Sequence, residues 1–78
     1  MKVSIIVPTL NEELVLENTL SQIQQLSPHE VIVTDGGSKD DTCKIADRLS
    51  HRVITGASGR ALQMNAGAAE ATGDILLF

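Results

Sequence analysis

Four short apolar runs alternate with three longer stretches along the 78 residues, and this alternation restricts the fold more than any other feature. The runs lie at 3–7, 30–34, 52–55 and 74–78, and each is rich in valine, isoleucine or leucine. Strands that alternate with helices predict a parallel sheet joined by right-handed crossovers. The sequence therefore predicts an α/β fold, a Rossmann-like parallel sheet with βαβαβαβ order.

Proline and capping residues indicate where these elements begin and end. Pro8 has no N–H to donate to a neighbouring strand, so the first strand is expected to end there. Asn11 is the expected N-cap of the first helix. The second helix is expected over about 40–49, with Ser38 or Asp40 as its cap.

Composition argues against several classes of protein. The net charge is −4 and the six basic residues are scattered, which is unlike a nucleic-acid-binding surface. The single cysteine, Cys43, has no partner for an internal disulfide. No stretch approaches the roughly 20 apolar residues of a membrane span. We therefore expect a cytoplasmic protein, although a longer parent chain could associate with a membrane through another segment.

Three polar or glycine-bearing loops are expected to meet at one edge of the sheet. They lie at 8–12, 35–38 and 56–60, directly after the first three predicted strands. In open parallel sheets, ligands bind outside the carboxyl ends of the strands. The third loop matches neither the dinucleotide-binding fingerprint nor a P-loop, which disfavours dinucleotide binding and ATP hydrolysis.

Two residues of these loops have both a binding and a structural interpretation. Asp35 ends a predicted strand before two glycines, and its carboxylate could accept from a base N–H or a ribose hydroxyl. It could equally form Asx-type bonds with Ser38 that only shape the turn. Arg60 opens the third predicted helix and could bind phosphate there, or it could be a solvated surface arginine.

The remaining acidic residues fit helix starts better than ligand sites. Glu12 and Glu13 could bind sugar hydroxyls or a cation, but charge complementarity at a helix N-terminus is favoured. The adjacent pair Asp40 and Asp41 fits the first turn of a helix better than a metal site. Asn65 lies among small residues whose simplest role is close packing of the third helix.

Three segments of the chain resemble family 2 glycosyltransferases of the GT-A fold. Residues 3–13 resemble the opening strand and loop of that family, and residues 33–42 resemble its second strand and uracil-contacting loop. Residues 59–78 resemble the segment that leads into its metal motif. The three segments occur in the family's order, and the similarity spans the chain from its first predicted strand to its last.

The resemblance implies that residues 1–78 form the nucleotide-sugar-binding half of a glycosyltransferase domain. The parent enzyme would transfer a sugar to an acceptor from a nucleotide-sugar, usually a UDP-sugar, with Mg²⁺ or Mn²⁺. The resemblance places donor contacts at Pro8, Thr9, Leu10, Asn11, Glu12, Asp35, Gly36, Arg60 and Asn65.

Two departures from the family's pattern limit this expectation. Gly36 stands where many members carry a second acid after the second strand, so base contact would depend on Asp35. The D-x-D-type metal motif is expected just beyond Phe78, as are the acceptor-binding half and the catalytic base. We therefore assign no catalytic residue and no metal ligand within 1–78, and we expect this part alone to be inactive.

Other functions remain open on the sequence. A stand-alone nucleotide-binding module without catalysis is the main alternative. A nucleotidyltransferase should carry a glycine-rich phosphate loop after the first strand, where this chain has residues 8–11. A structural protein without a ligand is the last alternative. In the glycosyltransferase half, open sheet edges could favour homo-oligomers, whereas a stand-alone module should be a stable monomer.

Overall fold

The computed structural model describes residues 2–78 and confirms the expected α/β fold. The elements are β1 (Val3–Thr9), α1 (Glu13–Gln24), β2 (Glu30–Asp35), α2 (Thr42–Leu49), β3 (Arg52–Thr55), α3 (Arg60–Glu70) and β4 (Asp74–Leu77).

The four strands form one parallel sheet in the order β3-β2-β1-β4. The chain winds from β1 through β2 to β3 and then crosses back, so that β4 pairs with the other side of β1. Pairing sets Val7 beside Val33 on one side of β1 and Ile6 beside Leu77 on the other. The strand order thus reverses at β1, and a crevice forms at the carboxyl ends of strands at such a reversal.

The two faces of the sheet are covered differently because side chains alternate along a strand. One face packs against α1 and α2 in an apolar core. On the other face, α3 packs against β1 and β2. The helix α3 lies so close to the sheet that a Cβ on Gly67 would be 2.5 Å from Ile6 Cγ2 and 3.0 Å from Thr34 Cγ2. Only glycine fits at this position. The core residues of the first face are Ile5, Val7, Leu16, Leu20, Ile23, Val31, Val33 and Ala46.

The expectation that Pro8 ends the first strand is wrong, because β1 continues through it. The carbonyl of Ile6 accepts the N–H of Phe78 at 2.9 Å, whereas the carbonyl of Thr9 accepts the N–H of Gly36 at 2.9 Å. Even-numbered residues of β1 therefore bond towards β4 and odd-numbered residues towards β2. The β1–β4 pairing ends at Ile6, so the missing donor of Pro8 faces a position beyond the last described pair.

Asn11 does not cap α1 as expected. Its φ angle is 52°, in the left-handed region that asparagine tolerates better than most residues. Its Oδ1 accepts the N–H of Lys39 at 2.8 Å, and its own N–H donates to Ser38 Oγ at 2.8 Å. The side chain therefore binds the loop after β1 to the loop after β2.

The starts of α1 and α2 are capped across these two loops. The N–H of Glu12 donates to Thr42 Oγ1 at 2.8 Å, and the N–H of Glu13 donates to Asp40 Oδ2 at 3.3 Å. In return, the N–H of Asp41 donates to Glu13 Oε2 at 3.1 Å. The expected start of α2 at residue 40, with Ser38 or Asp40 as its cap, is wrong, because α2 begins at Thr42 and Asp41 is at the N-cap position. Asp40 precedes the helix and accepts the N–H of Thr42 at 3.0 Å. Because each helix start depends on the other loop, local sequence alone misplaces both starts.

Both edge strands of the sheet are open in the described part of the chain. Every residue of β4 is exposed, including Ile75, Leu76 and Leu77 at about half of their surface. Homo-oligomers through these edges stay a prediction. No helix within residues 2–78 is long and apolar enough to cross a membrane.

A hydrogen-bond cluster around Glu30 joins three elements at the amino end of the sheet. Glu30 Oε2 accepts from Ser4 Oγ at 2.6 Å and from both the N–H and the hydroxyl of Thr72 at 2.7 Å. The N–H of Gly73 donates to Ser4 Oγ at 2.9 Å. The Ser4 hydroxyl, followed by the two groups of Thr72, lowers the pKa of Glu30 from 4.5 to about 2. The ionised carboxylate therefore ties the starts of β1 and β2 to the loop before β4.

Replacing Glu30→Gln should lower the free energy of unfolding at pH 7, because a neutral amide oxygen is a weaker acceptor than a carboxylate. Since folding depresses this pKa, the stabilisation is complete above about pH 4.5 and is lost as pH falls through about 2. Urea unfolding between pH 7 and pH 2 should show that the free energies of unfolding of Glu30→Gln and of the unsubstituted protein become more alike as the pH falls.

The matched control is Glu17→Gln, which removes an exposed ion pair with Arg48. This control should change stability little at any pH. A stability difference between Glu30→Gln and the unsubstituted protein that is constant over the whole range would contradict the assigned role.

Candidate functional site

A cleft of about 260 Å³ opens at the carboxyl end of the sheet. It lies where the loop after β1, the turn after β2 and the start of α3 meet. Ser58, Gly59 and Gln63 line it but were not among the predicted donor contacts, although Ser58 and Gly59 belong to a loop expected at this edge. Six of the nine residues predicted to contact a donor also line it: Pro8, Thr9, Leu10, Glu12, Gly36 and Arg60.

Asp35 ends β2 and is only 2% exposed. Its Oδ1 accepts from Thr9 Oγ1 at 2.8 Å and from Ser38 Oγ at 2.5 Å. Its Oδ2 accepts the N–H groups of Gly37 at 3.0 Å and of Ser38 at 2.7 Å. Burial raises the pKa of this carboxyl, but the hydrogen bonds, led by those from Ser38, outweigh burial and hold the pKa below its usual value. The structure thus contains the turn-shaping bonds, while direct contact with a base stays a prediction.

Asn11 and Asn65 do not line the cleft. Asn11 points its amide oxygen at the N–H of Lys39 in the neighbouring loop. Asn65 is exposed on α3, two residues from each of the buried positions Gln63 and Gly67. A direct contact of either asparagine with a ligand therefore stays a prediction.

The start of α3 gives one wall of the cleft a positive character. Gly59 precedes the helix with a φ angle of 100°, which a residue with a side chain adopts only with strain. The first N–H groups of a helix have no partner within it and carry a partial positive charge. Arg60 adds a full charge and takes part in none of the ion pairs found within residues 2–78. This wall is chemically suited to an anion such as a phosphate.

Gln63 is a functional candidate that the sequence interpretation missed. It is 5% exposed and lines the cleft one turn beyond Arg60. Its Nε2 donates to the carbonyl of Thr9 at 2.9 Å and to the carbonyl of Thr34 at 2.8 Å. The spacing of Gln63 and Gly67, four residues apart, places both on one face of α3. That spacing could have indicated that Gln63 faces the sheet together with Gly67.

Gln63 also explains why Gly36 has no side chain. A Cβ at Gly36 would lie 2.9 Å from Gln63 Oε1 and 3.1 Å from Gln63 Cδ. The carboxamide cannot move away without losing both hydrogen bonds to the strand carbonyls. The glycine in place of a second acid is therefore coupled to the glutamine on α3.

No group of three or more histidine, cysteine, aspartate or glutamate side chains within residues 2–78 could hold a metal ion. Asp40 and Asp41 serve the starts of the helices, as described above. The residues present therefore do not by themselves fit a divalent cation.

Gly36→Ala should destabilise the protein by roughly 1–3 kcal/mol, because the new methyl group displaces Gln63 from two buried carbonyls. Gln63→Ala alone should cost a similar amount. In the double variant the two changes should cost less than their sum, by about 1 kcal/mol or more. Chemical denaturation of the four proteins measures this coupling.

The control cycle pairs Gly36→Ala with Gln24→Ala, whose Nε2 donates to the Leu49 carbonyl on the exposed surface. The losses of unfolding free energy from these two substitutions should be additive in the double variant. If the losses of unfolding free energy from Gly36→Ala and Gln63→Ala were additive in the double variant, the predicted steric conflict would not exist.

Known proteins resemble this chain over nearly its whole length. The sequence profile of Glycosyl transferase family 2 matches residues 4–78. The probable glycosyltransferase YdaM of Bacillus subtilis is 33% identical over 89 residues, which cover 96% of this chain and 21% of YdaM. The O-antigen chain rhamnosyltransferase RfbN of Salmonella typhimurium is 40% identical over 53 residues, which cover 65% of this chain and 17% of RfbN.

A solved structure agrees with the fold. Glucosyl-3-phosphoglycerate synthase from Mycobacterium tuberculosis, in complex with Mn²⁺, UDP and glucosyl-3-phosphoglycerate, superimposes with a TM-score of 0.86 at 28% identity. The match covers 99% of this chain and 32% of that one, so the chain spans a third or less of each of these relatives. The Rossmann-like, GT-A type of fold is confirmed. Because the family profile covers residues 4–78, the chain belongs to glycosyl transferase family 2.

Proposed function

We propose that this chain is the donor-nucleotide-binding half of an enzyme that transfers a sugar from a UDP-sugar to an acceptor. Family membership supports the reaction class. The observation that carries the proposal is the cleft, in which six residues expected to contact a donor meet at the carboxyl ends of β1 and β2. The relative with Mn²⁺ and UDP in its structure supports uridine as the nucleoside.

The parts of the cleft suit the parts of a nucleoside diphosphate. Pro8 and Leu10 offer apolar surface, and Gly36 has no side chain, so that a flat base can approach the backbone. The start of α3 and Arg60 offer positive charge to the diphosphate. The carboxylate of Glu12 can accept from ribose hydroxyls. Each ligand part thus has a partner of matching polarity.

Two predicted contact residues have an indirect role in this proposal. Asp35 and Asn11 hold the loops around the cleft through their hydrogen bonds to Ser38 and Lys39. Asn65 lies outside the cleft, and its contact with a donor stays a prediction.

The divalent ion of the reaction, Mg²⁺ or Mn²⁺, belongs to the proposal for the parent enzyme. Such an ion would neutralise charge on the leaving diphosphate. Its ligands are proposed to lie outside residues 2–78, because the described residues do not assemble a metal site. The groups of this chain would then bind and orient the nucleotide.

Calorimetric titration with UDP, CDP, GDP and ADP, each with and without Mn²⁺, tests this function. We expect UDP to bind weakly and in preference to the other nucleotides, with little effect of Mn²⁺. Arg60→Ala should weaken UDP binding about tenfold, because it removes a charge that faces the diphosphate. Arg48→Ala is the matched control, since Arg48 pairs with Glu17 away from the cleft.

Three other outcomes would contradict parts of this proposal or favour the alternative function. Absence of binding by all four nucleotides would contradict the proposed donor site. Tight binding that depends on Mn²⁺ would contradict the assignment of the metal ligands to other parts of the parent. Tight binding without Mn²⁺ would favour the stand-alone nucleotide-binding module.

A further inference from the structure

We propose that Thr9 is a positioning residue of the nucleotide site, whose hydroxyl fixes the buried carboxylate of Asp35 as an ionised acceptor beside the cleft. This inference rests on the proposed function, because it assumes that a nucleotide binds in the cleft. It deepens that function by giving the Thr9 hydroxyl a role of its own, in which it acts on the ligand through Asp35.

Thr9 and Asp35 form the last cross-strand pair between β1 and β2. Val7 and Val33 are paired two residues earlier, on the same face of the sheet, and belong to the apolar core. Thr9 is only 1% exposed and Asp35 only 2% exposed. A carboxylate thus lies at the end of an apolar row, with a single hydroxyl directly opposite it.

A carboxylate in this position stays ionised only if hydrogen bonds replace the water that it has lost. Burial raises the pKa of Asp35, whereas the hydrogen bonds from Ser38, Thr9 and Gly37 lower it and outweigh burial. Gly37 and Ser38 belong to the turn that Asp35 begins, but Thr9 Oγ1 reaches Oδ1 from the neighbouring strand, at 2.8 Å. The Thr9 hydroxyl is therefore the contact that holds the carboxylate against β1.

This pair of side chains acts on the cleft directly. Thr9 and Gly36 both line it, and Asp35 immediately precedes Gly36. The N–H of Gly36 also donates to the carbonyl of Thr9 at 2.9 Å, so that Thr9 holds this turn through its backbone and through its side chain. Both the shape of the turn and a contact of Asp35 with a base N–H require a carboxylate that is ionised and held in one orientation.

The titratable groups around Asp35 do not supply this stabilisation in place of Thr9. Burial, followed by a hydrogen bond with Asp35 and the charge of Asp35, raises the pKa of Cys43 on α2, so that this thiol stays neutral. Asp40 and Asp47 act on the same thiol by their charge, and Glu13 at the start of α1 is acidic as well. No lysine or arginine within residues 2–78 forms an ion pair with Asp35. Hydrogen bonds, and not a neighbouring cation, keep this carboxylate ionised.

The chain offers a matched set of variants for this hydroxyl. Thr9→Val keeps the branched shape and the backbone hydrogen bonds of Thr9 but removes its donor, whereas Thr9→Ser keeps the hydroxyl. Thr34→Val is the control, because Thr34 is equally buried on the neighbouring strand and its Oγ1 has no hydrogen-bond partner within residues 2–78. Backbone amide spectra show whether each variant is folded. Thr9→Ala, which also lacks the hydroxyl, serves in place of Thr9→Val if valine does not fit.

The experiment measures UDP affinity by NMR titration of isotope-labelled protein between pH 7 and pH 4, and follows the carboxyl ¹³C signal of Asp35 in the free protein. Thr9→Val should weaken UDP binding about fivefold at pH 7. Because one hydrogen bond no longer opposes burial, the pKa of Asp35 should rise in this variant. Its carboxyl should therefore take up a proton at a higher pH than in the unsubstituted protein, and the ratio of the two UDP affinities should grow as the pH falls. That ratio cancels the titration of the phosphates, which is common to both proteins.

The outcomes separate this inference from the function on which it rests. Binding of no nucleotide by the unsubstituted protein would contradict the donor site and, with it, the role of Thr9. If the unsubstituted protein binds UDP but Thr9→Val loses affinity equally at every pH, with an unchanged ¹³C titration of Asp35, only the packing at Thr9 matters and the inference is wrong. Thr9→Ser should restore the affinity and the pH dependence, and its failure to do so would also overturn the inference. A loss of affinity in Thr34→Val as large as in Thr9→Val would do the same.

Discussion

The close approach of α3 to the sheet at Gly67 is the contact on which the cleft depends. A side chain at this position would collide with Ile6 on β1 and would crowd Thr34 on β2, so the helix can lie this near only with glycine there. One turn towards its start, α3 brings Gln63 within hydrogen-bond distance of two strand carbonyls. One turn earlier still, Arg60 reaches the rim. A single packing contact thus sets the depth of the floor and the position of the positive wall.

The opposite wall is held by hydrogen bonds between two loops. Asn11 and Asp35 bind Ser38 and Lys39, while Thr42 and Asp40 accept from the start of α1. These bonds satisfy N–H groups that a helix start leaves without partners. They also hold Asp35 ionised despite its burial. The wall is therefore preorganised before any ligand arrives, which reduces the ordering cost of binding.

The two ends of the sheet have different roles: the amino end stabilises the fold, and the carboxyl end forms the cleft. At the amino end, Glu30 concentrates three hydrogen bonds on one carboxylate oxygen and joins β1, β2 and the loop before β4. At the carboxyl end, Arg60 lines the cleft and takes part in none of the ion pairs found within residues 2–78. The same parallel arrangement produces both ends, because all four strands point the same way.

The sequence by itself determined the element order, the parallel sheet and six of the residues that line the cleft. The order and the sheet follow from local periodicity, and the shared edge follows from the rule that the loops after parallel strands lie together. The six residues were implied by the resemblance to the family. The tertiary structure decided what no local pattern records: that Pro8 stays within β1, that Asn11 binds a neighbouring loop, and that Gln63 lies under Gly36. Each of these depends on which partner the crossovers bring alongside. A polar side chain satisfies its hydrogen bonds with groups that are near in space, and 54 residues separate Gln63 from Thr9 along the chain.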